Sequence, residues 1–203
     1  MNRLNSIKMR TIGFIALILT IMATSCNSGN NEKKIQTQDA IENIMSRKSV
    51  RKYLPKPVEK EKVQTLLKAG MAAPSGKDVR PWEFVVVTDR AALDSMAAAL
   101  PYAKMLTHAP MAIVVCGDTT KSSYWYLDCS AATQNILLAA EALELGAVWT
   151  AAYPYDDRMA VVSRYTALPE HIKPLCVIPV GYPAMPHSPK DKWDESKVHE
   201  NKF

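Results

Sequence analysis

Five cations, Arg47, Lys48, Arg51, Lys52 and Lys56, stand between residues 47 and 56 with Ser49 among them. A guanidinium presents a planar fork to a phosphate and an ammonium adds a point charge, so Arg47, Lys48, Ser49 and Arg51 can clamp an anion's oxygens. The same composition also suits an ordinary solvated face, and the cluster alone does not choose between the two. A second stretch, "AAPSGKDVRPWEF" at 72–84, sets Pro74, Ser75, Gly76, Asp78 and Arg80 in a loop between a helix end and a strand, with Trp82 anchoring the return. Such a loop offers backbone donors and short polar side chains to a flat heterocycle, and Gly76 permits close approach.

Other chemistries lack their signatures. The glycines at 13, 29, 70, 76, 117, 146 and 181 are nowhere two apart, so neither a G-x-G-x-x-G dinucleotide turn nor a Walker loop is encoded. G-x-S-x-G is missing, and His108, His171, His187 and His199 form no H-E-x-x-H or paired spacing. Neither a hydrolase nor a zinc site is indicated.

The elements that must position these residues follow from periodicity. Thr37 can cap a helix carrying Ile41, Ile44 and Met45 on one face and ending at the cation cluster. A second helix is expected from Val58 to Ala73, with Val63, Leu66, Leu67, Gly70 and Met71 at helical spacing. "PWEFVVVT" (81–88) reads as a buried strand, after which Asp89 caps a helix through Leu100; "MAIVVCGD" (111–118) is the next strand. Residues 122–146 form the longest helix, closed by Gly146 at the C′ position and apolar around much of its circumference, hence central. "AVWTAAY" is expected as a strand, then a helix at 156–166, then "PLCVIPVGYP" as the last strand. The class is α+β, with about four strands interleaved with helices. Trp125, Tyr124 and Tyr126 read as core or dimer contacts, Asp128 as a local cap or ion-pair partner, and Met96, Met105, Met111 and Met159 as packing.

The 203 residues, 48% hydrophobic and 22% charged, suffice for one domain. Residues 1–25 read as a signal peptide: Arg3, Lys8 and Arg10 without an acid, then a 14-residue apolar run, shorter than the roughly 20 residues of a membrane span. Ala23-Thr24-Ser25-Cys26 resembles a bacterial lipobox, which makes Cys26 the lipidated residue, residues 26–37 a polar tether and residues 38–203 the folded domain, held at a membrane in the cell envelope. Of 25 basic and 20 acidic residues, cleavage before Cys26 removes three basic ones, so the net charge falls from +5 to +2 and no nucleic-acid footprint remains. Cys116 and Cys176 lie in apolar runs as buried thiols, and a disulfide scaffold is not expected.

Four segments together resemble the nitroreductase family of flavin enzymes. "RKSVR" (47–51) matches its R-R/H-S-x-R/K opening and "APSGKDVRPW" (73–82) its A-P-S-x-x-N-x-Q-P-W motif; "LELGAVWTAAY" (143–153) and "VGYPAMPHSPKDK" (180–192) match its later segments in family order. The resemblance covers about residues 38–195. It implies a nitroreductase-like fold, a central mostly antiparallel sheet flanked by helices, in a homodimer with FMN bound non-covalently at the interface. By the same resemblance Arg47, Lys48 and Ser49, with Lys190 and Lys192 from the tail, would hold the FMN phosphate, and Arg51 would reach the pyrimidine edge. Pro74, Ser75, Gly76 and Asp78 would come from the other subunit. Thr150, Ala151 and Ala152 would run along the ring with a backbone N–H toward N5. Asp78 replaces the family's asparagine and Arg80 its glutamine, and Lys192 stands where arginine is commoner.

The implied activity is two-electron, ping-pong reduction of nitroaromatics, quinones or similar small acceptors, with NAD(P)H or another donor using the same pocket in turn; the chemistry belongs to flavin N5 and no protein residue is assigned as a general base. Two alternatives stay open: a non-catalytic flavin- or ligand-binding lipoprotein, and a flavin-fragmenting or dehalogenating member of the same fold.

Overall fold

The computed structural model describes residues 40–203. The signal segment, Cys26, the tether and the Thr37 cap lie outside the described residues. Helix α1 (Ala40–Ser46) is followed by an extended segment, then α2 (Lys60–Met71), β1 (Trp82–Val87), α3 (Arg90–Ala99), β2 (Met111–Asp118), α4 (Trp125–Ala142), β3 (Gly146–Ala147), β4 (Thr150–Ala151), α5 (Asp156–Thr166) and β5 (Ile172–Gly181).

The strands form one antiparallel sheet in the order β1-β2-β5-β3, with β4 also paired to β5. Alternation along β2 builds a core on each face: Met111, Ile113 and Val115 pack beneath α4 with Ile136 and Leu66, whereas Ala112, Val114 and Cys116 pack against α3 and α5 with Leu93, Met96 and Val162. Because both faces are covered, β2 is buried along its whole length and reads as a continuous apolar run. As expected from Asp89, its carboxylate accepts from Ala92 N at the start of α3.

Several boundaries differ from the sequence expectation for local reasons. β1 is an edge strand with Val86 38% exposed, so it is not uniformly buried. The long helix ends at Ala142. Leu145 N–H bonds Ala140 O (2.8 Å) and Glu144 N–H bonds Glu141 O (3.0 Å), a Schellman closure whose left-handed residue is Glu144 (φ 59°). Gly146 is therefore not the C′ residue. It lies in β3 because a Cβ there would sit 2.5 Å from Val50 Cγ1. The expected "AVWTAAY" strand is interrupted, leaving two-residue β3 and β4. A bulge on β5 at Leu175, where Val115 pairs with Cys176 but Cys116 pairs with Pro174, lets the Leu175 carbonyl accept from both Ala152 N (2.9 Å) and Tyr153 N (3.0 Å).

The α1 residues Ile41, Ile44 and Met45 are 64%, 48% and 71% exposed, an apolar face open to solvent. Among the described residues, no helix is long and apolar enough to cross a membrane.

Candidate functional site

Residues 49–54 explain how distant cations meet. On one side Ser49 bridges to Ala147 and Val50 N–H bonds Ala147 O (3.0 Å); on the other, Leu54 N–H bonds Tyr182 O (2.8 Å) and Ala184 N–H bonds Lys52 O (3.0 Å). The buried Tyr53 hydroxyl locks this segment by donating toward Val50 O (2.6 Å) and Pro179 O (3.2 Å), and burial pushes its phenol well above the usual range. The segment after α1 and the segment after β5 thus run side by side.

Their side chains line one concavity of about 330 Å³. Arg47, Lys48, Ser49 and Arg51 come from the first segment; Lys190 and Lys192 arrive from the second, together with His187 and Ser188, which the sequence reading missed. No carboxylate is among the described residues that line it. One cation is already engaged, since Lys48 Nζ lies 2.5 Å from Glu141 Oε1 on α4. His187 has no sequence signature; only its position three residues before the tail lysine pair would have drawn attention.

Arg51 also lines an adjoining concavity of about 480 Å³ with Val148, Trp149, Thr150 and Ala151. Within it the strand register assigns the backbone donors. Thr150 pairs with Val177 and Ala152 bonds Leu175, so by antiparallel alternation the N–H between them, that of Ala151, points away from β5. Ala152, also expected along the ring, is buried and its N–H bonds Leu175 O, so the backbone donor left free on this edge is that of Ala151. Thr150 Oγ1 donates to Val177 O (2.6 Å) and so shapes the strand.

The 74–80 loop lines neither concavity on the same chain. It is held in a costly conformation: Lys77, Asp78 and Arg80 all take positive φ (53°, 56° and 49°), and left-handed backbone costs about 1–2 kcal/mol per non-glycine residue. Three contacts offset this. Gly76 N–H donates to Asp128 Oδ1 (2.9 Å), Arg80 N–H donates to Ser75 Oγ (3.0 Å), and the Arg80 guanidinium forks onto Asp78 through Nε (2.8 Å) and Nη2 (2.7 Å). The fork holds the Asp78 carboxyl below its ordinary range. Asp128, expected as a local cap or ion-pair partner, is a buried carboxylate that ties α4 to this loop and also accepts from Ser122 Oγ (3.1 Å). Pro74 is exposed at the loop's start.

Trp125 packs edge-on against Tyr153 (5.0 Å) and Tyr126 stacks on Tyr153 (5.3 Å), so Trp125 and Tyr126 belong to the core, while Tyr124 is 61% exposed. Cys116, Cys129 and Cys176 are free, buried thiols. Among the described residues, no cluster of His, Cys, Asp or Glu can hold a metal.

The geometry can therefore accept a phosphate-bearing molecule with a flat ring: a cationic pocket for the anion, joined through Arg51 to a cavity with an outward backbone donor. Comparison with known proteins agrees. The family model described as "Nitroreductase family" matches residues 44–101 and 94–182. A Methanothermobacter thermautotrophicus protein, provisionally named NADH dehydrogenase/NAD(P)H nitroreductase, is 43% identical over 173 residues, covering 84% of this chain and 91% of its own. A crystal structure from Bacteroides thetaiotaomicron with the same provisional name is 71% identical and superposes with a TM-score of 0.81, covering 82% of this chain and 99% of that one. The FMN-dependent nitroreductase of Clostridium difficile is 32% identical with a TM-score of 0.77, covering 80% and 99%.

Proposed function

The chain belongs to the nitroreductase family, and from that premise we propose that it is an FMN-dependent oxidoreductase that passes two electrons from NAD(P)H, or another donor sharing the pocket, to a small nitroaromatic, quinone or similar acceptor. The cofactor is FMN; bound, it supplies hydride acceptance and two-electron delivery at N5. One observation carries the reading: cations from both ends of the domain line a single pocket, with no acid among its described lining residues, that opens through Arg51 onto the Thr150–Ala151 edge.

In this reading Arg47, Lys190 and Lys192 neutralise the FMN phosphate with Ser49 as a hydroxyl donor, while Lys48, neutralised by Glu141, helps fix the pocket wall. Arg51 lies at the junction of phosphate and ring, where its charge favours the electron-rich reduced ring. The Ala151 N–H, turned away from β5, would be the backbone donor offered to N5. The loop carrying Pro74, Ser75, Gly76, Asp78 and Arg80 completes the site from a second subunit, which accounts for its distance from both concavities on its own chain. The exposed face of α1 supplies apolar surface for that homodimer.

We also propose that the domain is exported as a lipoprotein anchored through Cys26, on the leader and lipobox read above. That placement favours a membrane-linked electron carrier as donor over a cytoplasmic dinucleotide. The mass of the membrane-extracted protein tests it: a diacylglyceryl adduct on Cys26 is expected, and an unmodified full-length chain would refute it.

For the reductase reading, full-length protein is purified in detergent and its visible spectrum recorded, then NADH or NADPH is added without oxygen. Flavin absorbance, bleaching, and recovery on adding a nitroaromatic or quinone are expected. A yellow protein that no donor bleaches would instead be a flavin-binding lipoprotein.

A further inference from the structure

One cation on the wall of the ring concavity has no ionic partner among the described residues. Arg158, in the first turn of α5, lines the concavity shared by Arg51, Thr150 and Ala151 as well as a smaller cleft beside it. Its guanidinium carbon lies 3.7 Å from the Tyr155 ring centroid and 5.2 Å from that of Tyr102, and its Nε is buried without an acceptor. Among the described residues no carboxylate pairs with it. The nearby Asp156 faces a different concavity with Glu170 and Lys173.

The other basic residues of this wall are committed. Lys104 Nζ donates to Ala97 O (2.8 Å) and Ala98 O (3.0 Å), closing the end of α3, and Arg51 stands at the border with the phosphate pocket. No acid is among the described residues that line the concavity. A guanidinium held against aromatic faces is pre-organised, so little side-chain freedom remains to be lost on meeting an anion.

We propose that Arg158 is a specificity-determining residue: it recognises a carboxylate or phosphate on the small molecule that exchanges electrons in this pocket, making the protein selective for anionic partners over neutral ones. The inference rests on the flavin reading above and adds the substrate's charge to it. The anion can reside on the acceptor or on the donor, and the two sources are separable.

The test uses FMN-loaded full-length protein in detergent. Calorimetry with two unreactive probes, benzoate and benzamide, should show benzoate binding about tenfold tighter, as a charge-assisted contact implies. Arg158→Gln should abolish that preference and Arg158→Lys retain part of it; the wild-type comparison stands even if neither variant folds. In turnover with the neutral donor 1-benzyl-1,4-dihydronicotinamide, Arg158→Gln should lower kcat/KM for 4-nitrobenzoate about tenfold and leave 4-nitrobenzamide unchanged if the anion is on the acceptor. If it is on the donor, NADH should lose about tenfold with 4-nitrobenzamide as acceptor while the neutral donor does not. Equal affinity for benzoate and benzamide, or equal losses across charged and neutral substrates, overturns the inference. A protein that turns over the neutral pair without charge preference defeats only the role of Arg158; one that binds no flavin and reduces none of these acceptors defeats the function as well.

Discussion

Asp128 shows how a residue can matter to the site without touching it. Its two oxygens hold Gly76 N–H and Ser122 Oγ, so the strained 75–80 loop is fixed by a carboxylate from α4. Replacing it with alanine should cost about 1–3 kcal/mol, the penalty of orphaning partly buried donors, and denaturant unfolding should read it; an unchanged midpoint would detach the helix from the loop. The Asp78–Arg80 fork makes a pH prediction. Because the folded carboxyl titrates below its ordinary value, the contact is fully present above the unfolded pKa of about 4 and is lost as pH falls through the lower folded value. Arg80→Ala should return Asp78 to the ordinary range in a carboxyl NMR titration. Burial pushes the Cys129 and Cys176 thiols up to about 12 and Cys116 higher still; peptide mapping after alkylation at pH 8 should find all three unmodified until the protein unfolds. At this scale the sequence showed residue types but not partners. Arg47, Arg51, Lys190 and Lys192 were recognisable from their motifs, whereas the Lys48–Glu141 pair spans 93 positions and the Asp128–Gly76 bond 52, separations that local pattern cannot reveal.

The elements were legible wherever one face of a periodic segment is buried and ambiguous where backbone bonding decides. α2, α3, α5 and β2 were expected near where they occur, because their apolar spacing reports directly on what they pack against. The end of α4 was misplaced because glycine is the usual left-handed residue, yet the helix reverses at Glu144 and Gly146 is small for Val50. The two explanations separate experimentally. Glu144→Gly should stabilise the protein by about 1 kcal/mol, relieving left-handed strain, and raise Tm by about 2–4 °C. Gly146→Ala should destabilise it by about 1–3 kcal/mol through overpacking. Thermal unfolding of both variants checks this, and opposite signs would restore Gly146 as the cap. The break between β3 and β4 was illegible for a different reason: it depends on the β5 bulge at Leu175, whose carbonyl serves two amides.

In the whole molecule, two extended segments flanking the domain's length are stitched together beside β3, and this topology turns scattered basic residues into a pocket. The fold class was accessible from the order of helices and strands plus four family-like motifs, but the site's depth was not, since it depends on how segments far apart in sequence meet. A Met45→Glu, Ile44→Lys double variant should convert a dimer to a monomer in light scattering and lower flavin content with it, because the 74–80 loop would no longer reach the ring; a monomeric wild-type protein that holds flavin would exclude the shared site. The most direct test of the central claim is flavin stoichiometry in an Arg47→Ala, Arg51→Ala double variant whose far-UV circular dichroism matches wild type. The convergent-cation pocket predicts that purified variant loses its bound FMN and recovers little when FMN is added; retention of FMN at the wild-type level would contradict it.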